Sequence, residues 1–98
     1  MERIFAKNTL RNFWESHPDS EQYLKTWHDT AMNSEWKSPA DIKRSYANAS
    51  ILKDNRVVFN IKGNSYRMVV KINFVKQWIF IRFIGDHAMY DRIDANTI

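Results

Sequence analysis

The sequence predicts an α+β domain in which two N-terminal helices pack on one face of a small, mainly antiparallel sheet. Two observations lead to this fold class. Apolar residues recur at helical spacing in the first part of the chain, and they alternate with period two from residue 56 onward. A chain of 98 residues has room for one hydrophobic core, so residues 1–98 are expected to form a single domain.

The N-terminal part predicts a short strand followed by a helical hairpin. Residues 3–6 are the candidate strand, and the stripe of the first helix consists of Leu10, Phe13, Trp14 and His17. Pro18 ends this helix because it lacks an N–H and disfavours a helical residue before it. Ser20 is the expected N-cap of a second helix, whose apolar face consists of Tyr23, Leu24, Trp27 and Ala31. A short helical segment is expected to start at Pro39.

The second half predicts a meander of three antiparallel strands, over Arg56–Lys62, Ser65–Phe74 and Trp78–Gly85. Gly63 and Asn64 can supply the positive φ of a tight hairpin between the first two. This hairpin places Asn60 opposite Arg67 and leaves one sheet face apolar and the other charged.

The loop around Lys76 and Gln77 decides the register of the last strand. A loop of two or four residues places Arg82 opposite Lys71, and Ile79, Ile81 and Phe83 on the core face. A loop of three residues would bury Arg82, at a high desolvation cost.

The net charge of +4 is unevenly distributed. Residues 1–49 carry seven Lys or Arg against seven Asp or Glu, whereas residues 50–98 carry eight against four. The whole excess therefore lies in the predicted sheet, which favours a polyanionic partner such as a nucleic acid.

Composition excludes several other classes. The chain has no cysteine, so disulfides, thiolate zinc sites and cysteine nucleophiles are excluded, and a reducing cytoplasmic location is expected. No apolar run is long enough to span a bilayer, and the N-terminus lacks the features of a signal peptide. His17 and His28 have no ligand-like spacing, so we expect no metal site. No nucleotide-binding fingerprint occurs, and we expect no cofactor.

The charged sheet face is the first candidate site. It is expected to display Arg56, Asn60, Lys62, Arg67, Lys71, Asn73 and Arg82. Neighbouring side chains on one sheet face lie close together, so several of these five cations could reach one phosphate. The alternative is that the charges only keep an exposed sheet soluble.

The segment after the last strand is the second candidate site. In a helical turn, His87, Tyr90 and Asp91 would share one face. His87 could transfer protons near neutral pH, Tyr90 could donate a hydrogen bond or stack on a base, and Asp91 could orient either. The alternative is an ordinary C-terminal lid. Tryptophans are mostly core candidates, although Trp36 or Trp78 could stack a base.

The motif NIKGN-x-YR over residues 60–67, together with H-x-x-YD over residues 87–91, resembles the HigB family of toxin–antitoxin toxins. That family belongs to the RelE-like superfamily of messenger-RNA interferases. The segment Trp36–Lys43 and the stretches around residues 12–15 and 17–18 look similar too, so the resemblance covers nearly the whole chain.

This resemblance implies the RelE-like fold, cleavage of messenger RNA on the ribosome, and inhibition by a HigA-like antitoxin with a helix-turn-helix. It implies that Arg67 and Arg82 contact the scissile phosphate and that His87 and Tyr90 complete the catalytic set. The RNA-binding residues expected around them, with Asp91 in a supporting role, are Arg56, Asn60, Lys62, Asn64, Lys71 and Asn73. Asp86 and Met89 depart from the family pattern, which puts the level of activity in question.

The expected reaction is attack of the RNA 2′-hydroxyl on the adjacent phosphate, which needs an acid, a base and cations but no metal. Three alternatives stay open at this point. The chain could bind RNA or the ribosome without cutting, it could be a ParE-like toxin that acts on gyrase, or it could be a purely structural partner protein.

Overall fold

A computed structural model describes residues 1–98 and contains five strands, four α-helices and one 3-10 turn. The N-terminal elements are β1 (Arg3–Phe5), α1 (Lys7–Ser16), the 3-10 turn (Pro18–Ser20), α2 (Glu21–Met32) and α3 (Pro39–Ser45). The remaining elements are β2 (Ser50–Ile51), β3 (Arg56–Ile61), β4 (Tyr66–Asn73), β5 (Trp78–Asp86) and α4 (His87–Tyr90). None of the helices is long and apolar enough to cross a membrane.

The sheet confirms the predicted fold class. Its strand order is β1-β5-β4-β3-β2, with β1 parallel to β5 and every other pair antiparallel. The helices and the inner face of the sheet enclose one core, in which Trp27 contacts Phe59 with ring centroids 5.4 Å apart. The opposite face of the sheet is called the outer face below.

The helical hairpin forms as predicted, with two local differences. Ser20 directly precedes α2, but its hydroxyl donates to the carbonyl of His17 at 2.7 Å instead of capping the helix. The backbone of Ser20 is already helical, so its side chain is directed back toward the 3-10 turn. Tyr23 was expected in the core but is half exposed, because it lies at the edge of the apolar stripe.

The β3–β4 hairpin has the predicted register, with Asn60 opposite Arg67. Its loop differs from the expectation. Four residues connect the strands, and the positive φ angles belong to Lys62 (53°) and Gly63 (62°) instead of Gly63 and Asn64. The left-handed backbone at Lys62 breaks the strand alternation there, which redirects its side chain.

The β4–β5 pairing contains a bulge that the sequence pattern did not reveal. The loop has four residues, one of the two lengths expected, but Phe80 and not Arg82 lies opposite Lys71. Arg82 is the unpaired extra residue and is exposed. The bulge shifts the alternation by one, so Phe83 lies on the outer face and Ile84 joins the core. The prediction that Phe83 is a core residue was therefore wrong.

The outer face carries a second, smaller apolar cluster. Val58 and Val69 are buried there against Ala95, and Phe83, Tyr90 and Ile93 pack around them. Residues 91–98 thus fold back over part of the outer face. The outer face therefore has a part that residues 91–98 cover, around Val58 and Val69, and a part that they leave open.

Candidate active site

Arg67 and Tyr90 meet at the edge of this cluster. Arg67 is the second residue of β4, and Tyr90 is the last residue of α4, which begins directly after β5. The guanidinium carbon of Arg67 lies 5.0 Å from the centroid of the Tyr90 ring. The Nε of Arg67 is buried and has no hydrogen-bond partner, and no acidic residue forms an ion pair with Arg67. Its charge is therefore available to an anion.

Gly85 allows α4 to approach the sheet this closely. It lies opposite Arg67 in the β4–β5 ladder. A Cβ atom on Gly85 would come within 2.6 Å of the Phe83 ring and 2.9 Å of the Cβ of Met89. Both distances are too short for real atoms, so the absence of a side chain here sets the position of α4, and with it the position of Tyr90 above Arg67.

His87 is anchored to the β3–β4 loop through its ring. Its Nε2 is hydrogen-bonded to the backbone carbonyl of Asn64. Because a carbonyl oxygen only accepts, Nε2 donates in this hydrogen bond, which leaves Nδ1 as the ring nitrogen without a partner. His87 is exposed, so Nδ1 is open to a substrate.

Asp86 has a structural task in this segment. Its carboxylate accepts a hydrogen bond from the backbone N–H of Met89 at 2.9 Å and so caps α4. This residue, noted above as a departure from the family pattern, stabilises the turn that carries His87 and Tyr90. The helical turn was predicted and is confirmed over His87–Tyr90.

Arg82 and Asp91 flank this centre. Arg82 is exposed in the bulge, three positions before Gly85 and so about 10 Å away along the strand. Asp91 follows α4, is exposed and forms no ion pair. The structure thus brings together Arg67, His87 and Tyr90, with Arg82 and Asp91 at the margin.

Two of the expected RNA-binding residues lie at the other end of β4. Lys71 and Asn73 are four and six positions beyond Arg67, about 13 Å and about 20 Å along the strand. The side chain of Asn73 accepts a hydrogen bond from the backbone N–H of Lys76 at 3.0 Å, which closes the β4–β5 loop. Asn60 is nearer, directly opposite Arg67.

Lys62 does not lie on the outer face, contrary to the expectation. Its Nζ lies 2.8 Å from a carboxylate oxygen of Asp19, in the 3-10 turn on the helical side of the sheet. The Tyr66 hydroxyl donates to the same carboxylate at 2.7 Å. The bond from Lys62, followed by that from Tyr66, lowers the pKa of Asp19, and Asp19 in turn raises the pKa values of Lys62 and Tyr66.

Arg56 is also not displayed as expected. Its side chain is 9% exposed, and its Nε donates to the carbonyl of Ile98 at 3.2 Å. The exposed carboxylate of Asp54 lies 3.8 Å from the Nη1 of Arg56. The C-terminal segment covers Arg56, which the strand pattern alone could not reveal. Of the five cations expected on the outer face, Arg67, Lys71 and Arg82 keep an accessible position there.

Sequence reasoning missed Gly85, Asp86 and the cover formed by residues 91–98 as parts of this centre. A glycine followed by Asp, three residues before Met89, is a usable signal for a close approach and a helix N-cap. No signal identified the C-terminal cover, because its few apolar residues follow no period. No group of three or more His, Asp or Glu side chains is arranged to hold a metal ion.

Comparison of the sequence with known proteins identifies its family. Residues 20–93 match the family model described as HigB_toxin, RelE-like toxic component of a toxin-antitoxin system. The chain is 27% identical over 94 residues to the mRNA interferase toxin HigB of Escherichia coli K12, covering 94% of this chain and 90% of the relative. It is 23% identical over 92 residues to the mRNA interferase HigB of Escherichia coli O6:H1, covering 92% and 89%. The family match spans well over half of the sequence, and the chain therefore belongs to the HigB family of RelE-like toxins of toxin–antitoxin systems.

Proposed function

We propose that this toxin is an endoribonuclease that cuts messenger RNA. The names of its relatives support this function. The observation that carries it is the Arg67–Tyr90–His87 centre: an arginine without an acidic partner, held on an aromatic ring, beside a histidine with a free ring nitrogen. Those are the groups that cleavage of a phosphodiester requires.

The reaction that suits this centre uses the RNA as its own nucleophile. The 2′-hydroxyl loses its proton to a base and attacks the adjacent phosphorus, and the 5′-oxygen leaves and takes up a proton. The products are a 2′,3′-cyclic phosphate and a 5′-hydroxyl. Arg67 and Arg82 stabilise the charge of the phosphorane, each by about 3 kcal/mol if it acts like an oxyanion-hole donor.

His87 is the proposed proton-transfer group. Its free Nδ1 can accept the 2′-hydroxyl proton, or donate one to the 5′-oxygen when the ring is protonated. Tyr90 holds Arg67 and positions the ribose or base beside it. Asn60 and Asn64, next to Arg67 and His87, are proposed to contact the adjoining nucleotides, with Asp91 in support. Arg56 and Lys62 are not assigned to RNA, because both are held elsewhere.

The family implies an antitoxin as partner and RNA as substrate. We extend this to a HigA-like antitoxin with a helix-turn-helix, and to messenger RNA engaged by a translating ribosome in the cytoplasm. Residues 50–98 supply the cationic excess, which favours binding of both messenger RNA and ribosomal RNA.

The test is primer extension on messenger RNA in a translating extract, with wild type, Arg67→Ala and His87→Ala. Arg11→Ala, an exposed arginine on α1, is the matched control. We expect discrete cuts with wild type and the control, and a loss of about 100-fold or more with the two site variants. Full cutting by Arg67→Ala would contradict the proposal.

The ends of the fragments test the reaction itself. Mass spectrometry should find 2′,3′-cyclic phosphates and 5′-hydroxyls, whereas 5′-phosphates would show that water or a metal-bound hydroxide attacks instead. Intact RNA with arrested translation would replace the proposal with the non-catalytic binding module. Inhibition of DNA supercoiling with intact RNA would replace it with a gyrase toxin.

A further inference from the structure

The outer face continues past the active site to an aromatic region on β1 and β5. The pairing of β1, β5 and β4 forms two rows across the sheet. One row contains Arg3, Trp78 and Asn73, and the next contains Phe5, Phe80 and Lys71. Ile4, between Arg3 and Phe5, packs against the inner core, so the members of both rows lie on the outer face. We call Phe5, Trp78 and Phe80 the aromatic platform.

The three rings support one another without belonging to either apolar cluster. Phe5 and Phe80 stack with centroids 4.8 Å apart and planes inclined by 8°. Trp78 meets Phe5 edge-on at 5.4 Å. All three are partly exposed. Residues 91–98, which cover Val58 and Val69, form no part of this region.

Cations surround the platform. The guanidinium carbon of Arg3 lies 5.4 Å from the centroid of the Phe5 ring, and the Nζ of Lys76 lies 4.6 Å from that of Trp78. Lys71 lies directly opposite Phe80. Neither row contains an acidic residue, and none occurs between residues 56 and 85. Flat rings bordered by positive charge match single-stranded nucleic acid, in which bases stack on the rings and phosphates pair with the cations.

We infer that the aromatic platform is a second RNA subsite, which stacks bases of the single strand that flanks the phosphate bound at Arg67. The inference rests on the proposed function. Lys71 lies about 13 Å and the row of Trp78 about 20 Å from Arg67 along β4, so a strand of a few nucleotides on the same face joins the two places. The subsite holds substrate during cleavage and takes no part in the chemistry.

The test measures fluorescence anisotropy with RNA that cannot be cut because every 2′-hydroxyl is methylated. A short strand of about 2 nucleotides fits the active site alone, and one of about 12 reaches the platform. Trp78→Ala should weaken binding of the long strand by about 5- to 150-fold and leave the short strand unchanged. Tyr23→Ala, which removes a half-exposed ring on α2, should change neither.

Lys76→Glu provides a second variant that retains all three rings and adds a negative charge to an exposed loop. This variant should also weaken binding of the long RNA and leave binding of the short RNA unchanged. Circular dichroism should show an unchanged fold. Equal affinity of wild type and both variants for the long strand would overturn the inference, as would loss of antitoxin binding with RNA affinity intact. Failure of the proposed function looks different, because RNA would then stay uncut whether or not the platform binds it.

Discussion

The Arg67 guanidinium lies over the Tyr90 ring, and the same ring packs against Phe83 with centroids 6.3 Å apart. Tyr90 therefore connects the phosphate-binding cation to the small outer cluster. Through this contact, the placement of one four-residue helix determines where a strand arginine points.

Two substitutions of Tyr90 distinguish the contribution of its ring from that of its hydroxyl. Tyr90→Phe retains the surface on which Arg67 rests, whereas Tyr90→Ala removes it. We expect Tyr90→Ala to lose about 100-fold or more in RNA cleavage and Tyr90→Phe to lose less, measured as single-turnover rates. Equal rates for wild type and Tyr90→Ala would show that Arg67 does not depend on the ring.

Gly85→Ala should displace α4. The new Cβ collides with the Phe83 ring and with Met89, so either the helix or the ring must move. We expect about 1–3 kcal/mol less stability in denaturant unfolding, together with slower cleavage. Met89→Ala, which shortens the neighbouring side chain and leaves Gly85 intact, is the control. Unchanged stability and rate in Gly85→Ala would contradict the close approach.

The Asp19 interactions predict a stability difference that depends on pH. The pKa of Asp19 is lowered below 3.8, so its stabilising contribution is complete above the unfolded value and is lost as the pH falls through the folded one. Asp19→Asn should melt at a lower temperature than wild type near neutral pH, and the gap should close below about pH 3.8.

The pKa of Asp41 is lowered as well, but Asp41 is present in both wild type and Asp19→Asn. Its contribution therefore cancels in the difference between their melting temperatures. A gap that stays constant down to the lowest pH tested would show that the Asp19 charge contributes nothing to folding.

Arg56 and Arg82 should behave differently although both are strand arginines. Arg56→Ala removes the bond to the Ile98 carbonyl and should cost about 1 kcal/mol, with faster hydrogen exchange in residues 93–98. Arg82→Ala should instead reduce the salt dependence of RNA binding by about 0.7 in log K against log salt. The opposite pattern would place Arg56, and not Arg82, on the RNA.

The sequence predicted the β3–β4 register and every α-helix and strand except the two-residue strand β2, because the signals for them are local. Pro18 and the apolar stripe delimited α1, and the period of two paired Asn60 with Arg67. The strand and helical periods singled out Arg67, His87 and Tyr90, the resemblance supplied their expected roles, and the structure places them in one region.

The remaining features depend on contacts between residues that are distant in sequence. The bulge at Arg82 inserts one residue and shifts the alternation after it by one, and a regular period of two therefore predicted the wrong face for Phe83. Arg56 begins β3 as predicted, whereas Lys62 lies in the turn just after it. Asp19 and Ile98, 43 and 42 residues away from Lys62 and Arg56, determine where their side chains go. Periodicity reports which residues share a strand face; which of them stay open to RNA depends on what folds over that face.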